Sequence, residues 1–215
     1  MVDNTKLAAL RHDFDRAGLS ETDVNADPVE QFRLWLDAAI NSDIKDANAM
    51  TVSTVGDDGR PSARVVLLKY FDAAGFTFFT NYGSKKGREL EHHPFADFHF
   101  FWPDLERQVS ISGRVAKAPR ELSEEYFLSR PIESRIGAWA SEQSSEIASR
   151  KALEERVEFY KEKFGDDVPL PDFWGGLTMT PDRFEFWQGR KSRLHDRIVY
   201  SPDGNGNWQI ARLAP

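Results

Sequence analysis

The residues with the most evident chemistry lie near the C-terminus, between Arg183 and Arg197. This segment alternates apolar and polar residues up to a turn at Gly189, a pattern typical of a strand. Arg193, His195 and Arg197 then follow at every second position. Side chains two apart on a strand share one face, so two guanidiniums and an imidazole would face the same space. Such a cluster favours a bound anion; the alternative is an exposed basic edge neutralised by some of the chain's 35 acidic residues.

Four more cations lie at strand ends and tight turns. Arg64 and Lys69 lie at the two ends of an apolar run. They are an odd number of residues apart, so a regular strand would direct their side chains to opposite faces, where they could bind two separate anions. Lys85 and Lys86 follow a Gly-Ser pair at a predicted helix start, where free backbone N–H groups favour phosphate. Each pair taken alone is more typical of solvated charge or helix capping.

A third group is spaced as on one face of a helix. Tyr126, Arg130 and Ser134 are four residues apart, although Pro131 interrupts a continuous helix. All the groups together provide donors for two phosphates, with Trp187 and several Phe residues as an apolar wall. A charge-assisted hydrogen bond contributes roughly 1.5–3 kcal/mol, so a few per phosphate would hold a phosphorylated ligand at micromolar concentration or below.

Composition excludes several other functions. The net charge of -7 argues against a general nucleic-acid binder or a polybasic membrane protein, so any anion site must be local. The absence of cysteine excludes disulfides, thiolate nucleophiles and Cys-ligated metals. No apolar run reaches the length of a signal-peptide core or a membrane span. We therefore expect a cytoplasmic protein with no nucleic-acid partner, no membrane partner and no metal.

The predicted site residues must be positioned mainly by strands. Residues 1–26 are polar and are expected to form a flexible N-terminal arm with little structure of its own. Asp27 as N-cap and Pro28 as first residue predict a helix that runs to about Asn41. Alternation and turn residues predict strands over residues 49–55, 62–70, 76–80, 95–102, 107–117, 177–180, 183–188, 194–201 and 208–213. Further helices are predicted from Lys85 to before Pro94 and over residues 121–129, 131–140 and 149–164.

The predicted fold class is mainly β with flanking helices. Antiparallel hairpins this regular predict a sheet curled into a small barrel. With 215 residues and no linker or repeat, the chain is expected to form a single domain over residues 1–215.

Several of these segments resemble the pyridoxamine 5′-phosphate oxidase family, in family order from about Arg11 to the C-terminus. The segments that carry the resemblance are Arg64–Lys69, Phe79–Lys86, Glu106–Val109, Ser129–Pro131, Ile136–Trp139, Gln143–Ser145, Pro169–Gly176, Phe186–Gly189, Arg193–Arg197 and Arg212–Pro215. Their number and length make chance a poor explanation.

The resemblance implies an FMN-binding split β-barrel, antiparallel with a six-stranded core, in a homodimer that holds FMN at the interface. It implies oxidation of pyridoxamine 5′-phosphate and pyridoxine 5′-phosphate to pyridoxal 5′-phosphate, the last step of vitamin B6 cofactor synthesis and salvage. Hydride would pass to N5 of FMN, and O2 would reoxidise the flavin and yield hydrogen peroxide.

Motif by motif, the resemblance assigns three sets of residues. The FMN set is Arg64, Val65, Val66, Leu67, Leu68, Lys69, Phe79, Thr80, Lys85, Lys86, Gln108, Gln143, Ser144, Trp187 and Arg197. The substrate-phosphate set is Lys69, Tyr126, Arg130 and Ser134. Arg193 and His195 are the catalytic pair, which would bind the substrate ring and orient it against the flavin.

Two positions depart from the family pattern. Lys85 stands where many relatives have Arg, so a bidentate phosphate contact would become a single point contact. Phe14 stands where the N-terminal arm of some relatives has Tyr, so a lid hydroxyl would be lost.

Two alternatives share the same barrel. One is a non-catalytic module that holds FMN or pyridoxal 5′-phosphate as a carrier or sensor, and the other is a reductase with a different flavin or a deazaflavin. Neither needs the catalytic pair or the Tyr126, Arg130 and Ser134 set, so the presence of those residues favours the oxidase.

Overall fold

The computed structural model describes residues 4–9 and 13–215, which divide into two compact units. Unit 1 comprises the described parts of Met1–Ala47 together with His99–Ile111 and Asp182–Pro215. Unit 2 comprises Asn48–Phe98 and Ser112–Pro181. The prediction of a single domain over residues 1–215 stays a prediction, because compact packing within each unit does not test whether they fold separately.

The helices agree closely with the sequence patterns. Within the described ranges they are α1 (Asn4–Ala9), α2 (Pro28–Ile40), α3 (Lys85–His92), α4 (Arg120–Ser129), α5 (Ile132–Ala140) and α6 (Arg150–Phe164). The predicted start of α2 is confirmed, since Asp27 accepts a hydrogen bond from the Val29 amide and Pro28 is the first helical residue. The expectation of an arm with little structure was wrong for α1. Arg11, where the family resemblance begins, lies outside the described residues.

The strands differ from the predicted set at three places. They are β1 (Ala49–Val55), β2 (Pro61–Leu67), β3 (Tyr70–Asp72), β4 (Gly75–Asn81), β5 (Phe95–Trp102), β6 (Arg107–Lys117), β7 (Trp174–Gln188), β8 (Asp196–Pro202) and β9 (Trp208–Leu213). The single strand predicted over residues 62–70 is divided into β2 and β3. The two strands predicted over residues 177–180 and 183–188 are one strand, β7. The third difference is the later start of β8.

Unit 2 is a sheet with helices beside it. Its strands, counting only the parts of β5, β6 and β7 that belong to it, follow the order β2-β1-β5-β6-β7-β4-β3. The β1–β2 and β4–β7 pairs are antiparallel, with Val52 opposite Arg64 and Phe79 opposite Gly176. Phe127, Ile136, Val168 and Trp174 form a buried cluster between the helices and β7. The prediction of antiparallel strands with flanking helices is confirmed.

The break between β2 and β3 comes from a change of partner. The Leu68 amide donates to the Asn48 carbonyl beside β1, whereas the next amide, of Lys69, donates to Thr77 in β4. Leu68 is therefore drawn into the core, where it is 4% exposed. A local alternation of apolar and polar residues carries no signal for such a long-range exchange of partners.

Unit 1 is built on the second half of β7. This half pairs with β8, and β8 pairs with β9, both antiparallel. Helix α2 covers the unit with Phe32 and Trp35, which contact Phe100 and Phe186 at ring-centroid distances of 4.9 and 5.2 Å. Burying a large aromatic side chain contributes roughly 1.5–3 kcal/mol, so these contacts fix α2 on the sheet.

Candidate active site

Unit 2 contains a cavity of about 840 Å³, within the range of cofactor and small-molecule sites. Most of the predicted site residues line it: Arg64, Val65, Val66, Leu67, Lys69, Phe79, Thr80, Lys85, Lys86, Tyr126, Arg130, Ser134, Gln143 and Ser144. They come from β2, β4, α3, α4 and α5, from the turns that follow β2 and α4, and from the segment after α5. Residues far apart in sequence are thus brought to one space by the pairing of strands around it.

Arg64 is held by four acceptors, three on β1 and β2 and one on α3. Its Nη1 donates to the Val52 carbonyl (3.1 Å) and to Thr54 Oγ1 (2.6 Å), and its Nη2 donates to Ser62 Oγ (2.6 Å) and Glu89 Oε2 (3.2 Å). The strand register explains this arrangement, since Arg64 lies directly opposite Val52. The guanidinium is therefore fixed in the cavity wall by the protein itself.

Lys86 is a buried cation at the start of α3. It is 7% exposed, and its Nζ donates to Thr80 Oγ1 (3.2 Å), Ser84 Oγ (3.4 Å) and Gln143 Oε1 (3.2 Å), all neutral oxygens. Burial, and then the Arg64 charge, lower the pKa of Lys86 to about 8, partly offset by Glu89. An anion in the cavity would stabilise this ammonium.

The helix α3 is positioned by its first turn. Ser84 is the N-cap, and its hydroxyl accepts a hydrogen bond from the Gly87 amide. A Cβ at Gly87 would overlap the Tyr82 carbonyl, so only glycine allows α3 to pack this closely on the preceding turn. The close packing places both Lys85 and Lys86 at the cavity.

A stack of aromatic rings forms an apolar wall. Phe79 and Tyr126 stack at 4.0 Å between ring centroids, and Phe79 also stacks with Trp174 at 5.6 Å. The Arg130 guanidinium lies over the Trp174 ring at 4.8 Å. Its Nη1 is buried and has no hydrogen-bond partner within the described ranges, so Arg130 presents an unused donor of the type that binds phosphate.

The expectation that Arg64 and Lys69 lie on opposite faces of one strand was wrong, whereas their assignment to two different anions stays a prediction. Both residues line the same cavity, because β2 ends at Leu67 and the chain turns toward β4 before Lys69. Tyr126, Arg130 and Ser134 also line it together, even though α4 ends at Ser129 and α5 begins at Ile132. Leu68, assigned to the FMN set, is a core residue and does not line the cavity.

The remaining predicted site residues belong to unit 1: Gln108, Trp187, Arg193, His195 and Arg197. The expectation that Arg193, His195 and Arg197 share one strand face was wrong, because β8 begins only at Asp196. Ser192 and Arg193 have φ of 58° and 61°, in the left-handed region that residues other than glycine rarely adopt. The chain therefore turns where a regular strand was predicted.

The surroundings of His195 favour its neutral ring and one tautomer. Its Nδ1 accepts a hydrogen bond from the Arg190 amide at 3.1 Å, which places the ring proton on Nε2. Burial, and then the charge of Arg193, lower the pKa of His195. The ring lies 4.5 Å from the Trp187 ring, and Phe14 from the N-terminal arm meets it edge-on at 5.6 Å.

Arg197 forms an ion pair with a carboxylate of unit 1. Its Nε donates to Glu185 at 2.7 Å, and Arg183 contacts the other oxygen of Glu185 at the same distance. Burial opposes ionisation of Glu185, but the hydrogen bonds and charges of Arg197 and Arg183 outweigh it, so the pKa of Glu185 is lowered. Gln108 lies half-buried in β6.

Sequence reasoning missed several residues around the cavity. Trp174, Ser62, Asn81 and Ser141 line it, and Glu89 lies beside it as the acceptor for Arg64. Trp174 stands within a segment that carried the family resemblance, which was a usable signal. Glu89 had none, because a single carboxylate in a charged helix is most often solvated.

Two searches of the described part of the chain gave negative results. No group of three His, Asp or Glu side chains there could hold a metal ion. No helix there is both long and apolar enough to cross a membrane.

Comparison with solved structures identifies the class of the fold. PhzG from Burkholderia lata 383, in complex with tetrahydrophenazine-1-carboxylic acid, is 28% identical with a TM-score of 0.88, over 95% of this chain and 100% of that one. A pyridoxamine 5′-phosphate oxidase-related, FMN-binding protein from Nostoc punctiforme is 15% identical with a TM-score of 0.71, over 89% and 100%. These similarities show a mainly β fold of the split-barrel class with flanking helices, as predicted.

Sequence comparison identifies the family. A family model described as pyridoxamine 5′-phosphate oxidase matches residues 36–163, and one described as the pyridoxine 5′-phosphate oxidase C-terminal dimerisation region matches residues 174–215. A pyridoxine/pyridoxamine 5′-phosphate oxidase of Burkholderia multivorans is 54% identical over 98% of this chain and 100% of its own. The corresponding oxidase of Cupriavidus metallidurans is 53% identical over the same shares. The chain belongs to the pyridoxamine 5′-phosphate oxidase family, and its cofactor is FMN.

Proposed function

We propose that this chain oxidises pyridoxamine 5′-phosphate and pyridoxine 5′-phosphate to pyridoxal 5′-phosphate. The observation that carries the proposal is a single cavity with two groups of cations around an aromatic wall. Arg64, Lys85 and Lys86 form one group, and Lys69 and Arg130 form the other. A flavin mononucleotide and a phosphorylated pyridine together require two phosphate sites and an apolar surface for stacked rings.

The first group is assigned to the cofactor. Arg64, Lys85 and Lys86 would hold the FMN phosphate, with Val65, Val66 and Leu67 alongside the flavin. Phe79, Thr80, Gln108, Gln143, Ser144, Trp187 and Arg197 complete the proposed FMN set. The donors fit the group, because Lys86 is desolvated among neutral oxygens and a phosphate would supply the missing negative charge.

The second group is assigned to the substrate. Lys69, Tyr126, Arg130 and Ser134 would bind the substrate phosphate, which supplies the partner that Arg130 Nη1 does not have among the described residues. Arg193 and His195 are the proposed catalytic pair. The neutral His195 ring donates through Nε2, and Arg193 offers a guanidinium to the phenolate-like oxygen of the substrate ring.

The protein contributes binding and orientation more than acid–base chemistry. FMN, when bound, supplies the acceptor for the hydride that leaves the substrate's C4′ carbon, and O2 then takes up the electrons as hydrogen peroxide. The cationic groups fix the two phosphates and thereby the distance and angle between the reacting rings. The aromatic stack of Phe79, Tyr126 and Trp174 excludes water from one side of the cavity.

The proposed assembly is a homodimer that holds FMN at its interface. The support is the match of residues 174–215 to a C-terminal dimerisation region. Sedimentation equilibrium of the purified protein should give twice the chain mass, and a monomer that retains FMN would contradict this arrangement. The predicted cytoplasmic location stays a prediction.

An absorbance spectrum before and after anaerobic addition of pyridoxamine 5′-phosphate tests the activity. We expect the oxidised flavin bands to bleach and then to recover on admission of air, with release of hydrogen peroxide and ammonia. A flavin that stays oxidised with pyridoxamine 5′-phosphate and also with pyridoxine 5′-phosphate would instead favour a carrier or a different substrate. Protein that cannot be reconstituted with FMN would overturn the cofactor assignment.

A further inference from the structure

Glu89 is a buried carboxylate beside the cavity that none of the assigned sets contains. Its side chain is 8% exposed, and it lies on α3 one turn after Lys85, with 3.8 Å between Lys85 Nζ and Glu89 Oε1. It is not among the residues that line the cavity. A buried carboxylate is costly unless hydrogen bonds and opposite charges compensate it, so its contacts indicate what keeps it there.

Two hydroxyl groups connect Glu89 to Arg64. Thr54 Oγ1 lies 2.5 Å from Glu89 Oε2, and Ser62 Oγ lies 2.8 Å from the same oxygen. An ionised carboxylate can only accept, so each hydroxyl gives its single hydrogen to Glu89. The lone pairs of each hydroxyl oxygen are then left to accept from Arg64. Its Nη1 lies 2.6 Å from Thr54 Oγ1, and its Nη2 lies 2.6 Å from Ser62 Oγ.

The protonation state of Glu89 agrees with this direction of donation. Burial opposes ionisation, but the hydrogen bonds from Thr54 and Ser62 and the Arg64 charge outweigh it, so the pKa of Glu89 is lowered. At neutral pH the carboxylate is charged. Both hydroxyls are therefore oriented by Glu89, and both act as acceptors toward Arg64.

The carboxylate could act on a bound phosphate in two opposite ways. As a negative charge near Arg64, Lys85 and Lys86, it would weaken the attraction of the cluster for an anion. As the anchor of the Arg64 network, it would strengthen binding by fixing the guanidinium. Arg64 lines the cavity and Glu89 does not, so a phosphate would meet the oriented donor directly and the carboxylate only at longer range, where screening reduces its effect.

We infer that Glu89 is a positioning residue, which acts through Thr54 and Ser62 to hold Arg64 in the orientation that binds the FMN phosphate. The inference rests on the proposed function, in which Arg64 is a phosphate ligand. It adds a residue to the site that contacts neither cofactor nor substrate.

The test compares FMN with riboflavin, which has the same ring system and no phosphate. Full-length protein stripped of flavin is titrated with each ligand, and binding is followed by quenching of flavin fluorescence. Glu89→Gln should raise the Kd for FMN about tenfold, the loss of one charge-assisted contact, and should leave the Kd for riboflavin unchanged. The matched control is Glu91→Gln, which removes the same charge from an exposed position of the same helix and should change neither Kd.

The same substitution in a protein that lacks the Arg64 side chain shows whether Glu89 acts through Arg64. In Arg64→Ala protein, Glu89→Gln should add no further loss of FMN affinity, because coupled residues give non-additive effects. Equal weakening of FMN and riboflavin, an additive loss in the Arg64→Ala background, or tighter FMN binding would each overturn the inference.

Two further variants keep the test open if Glu89→Gln does not fold. Thr54→Val and Ser62→Ala each remove one hydroxyl of the network, and each should weaken FMN binding about threefold relative to riboflavin. Unchanged FMN affinity in both would overturn the inference. Unsubstituted protein that binds FMN no more tightly than riboflavin would instead contradict the proposed phosphate site itself.

Discussion

The arginines of the two units have very different partners. In unit 1, Arg183 and Arg197 share Glu185, and Arg212 pairs with both Glu21 and Asp196, with distances of 2.7–2.8 Å. In unit 2, Arg64 shares one buried carboxylate with Lys85. Lys69, Lys86 and Arg130 make no ion pair within the part of the chain that the structure describes.

Under the proposed function, this difference separates cations that are paired within the fold, among them Arg197 of the proposed FMN set, from cations whose anionic partner would be a ligand. A paired arginine has its charge compensated and holds the fold together, as Arg212 does by joining Glu21 in the arm to Asp196 in β8. A buried cation with neutral partners carries an uncompensated desolvation cost. Under the proposed function, a bound anion would relieve that cost for the buried Lys86 and the half-buried Arg130, whereas Lys69 is exposed and carries no such cost.

The largest expected effect is on cofactor retention. Arg64→Ala should raise the Kd for FMN about 100-fold, because it removes a fixed, charge-assisted donor from the cationic group. The control is Arg60→Ala in the turn between β1 and β2, where the side chain is 86% exposed and its ion-pair partner among the described residues is Asp58. Equal FMN affinities in the two variants would show that the cavity cations do not differ from surface ones.

The next effect is on the substrate. Arg130→Ala should raise KM for pyridoxamine 5′-phosphate about 30-fold while the bound flavin spectrum stays intact, because Arg130 belongs to the second cationic group. Steady-state kinetics and an absorbance spectrum of the same sample check both parts. Colourless Arg130→Ala protein would remove the division into two phosphate sites.

A third variant tests Arg193, which belongs to unit 1 although the proposed function assigns it to the substrate. Arg193→Ala should lower kcat/KM about tenfold through loss of orientation, with FMN affinity unchanged. Arg193→Lys should recover only part of the loss, since a lysine lacks the planar fork of donors. Near-normal kinetics in Arg193→Ala would take Arg193 out of the site.

The smallest expected effect is a pH dependence caused by Lys86. Its pKa in the flavin-free protein is about 8, and a bound phosphate would raise it, so FMN should bind about fourfold more weakly at pH 8.5 than at pH 7. The phosphate of FMN is already a dianion across this window. Riboflavin, or FMN with Lys86→Met protein, should show no such trend, and a trend of equal size in either would assign the titration to another group.

The lowered pKa of Lys86 also predicts that the stability of the flavin-free protein rises with pH, whereas its affinity for FMN falls. The folded pKa of Lys86 lies below its unfolded value of 10.5, so the charged ammonium opposes folding below pH 8. This opposition is lost as the pH rises from 8 to 10.5, and the contribution of Lys86 to the free energy of unfolding increases. Urea unfolding of flavin-free protein and of Lys86→Met protein, compared across this range, isolates that contribution.

The sequence was sufficient wherever the signal was local. The Asp27–Pro28 start of α2, the start of α3 at Lys85 and the alternation of β5 all formed as predicted. Each depends on residues within one turn or one strand, so the physical cause lies inside the segment that was inspected.

The sequence was insufficient where partners from elsewhere decided the structure. Lys69 leaves the line of β2 because its amide pairs with Thr77. Arg193 leaves the expected strand because two left-handed residues turn the chain. Glu89 became recognisable only when Thr54, Ser62 and Arg64 converged on it. The sequence was enough to assign residues such as Arg64 to a site, but their hydrogen-bonding partners could be identified only from the folded structure.

The long strand β7 has a consequence for how the chain acquires its structure. Its first half pairs with β4, where Thr77 and Thr178 are 101 residues apart, whereas its second half pairs with β8 a few residues further on. Closing the long loop costs more chain entropy than closing the short one. During synthesis β4, with the apolar side chains of Phe76 and Phe78, must wait for β7 to leave the ribosome. Although β3 pairs with one edge of β4, the other edge stays open until then. An open apolar edge of this kind is prone to aggregate, so slow translation between β4 and β7 should lower the yield of folded protein.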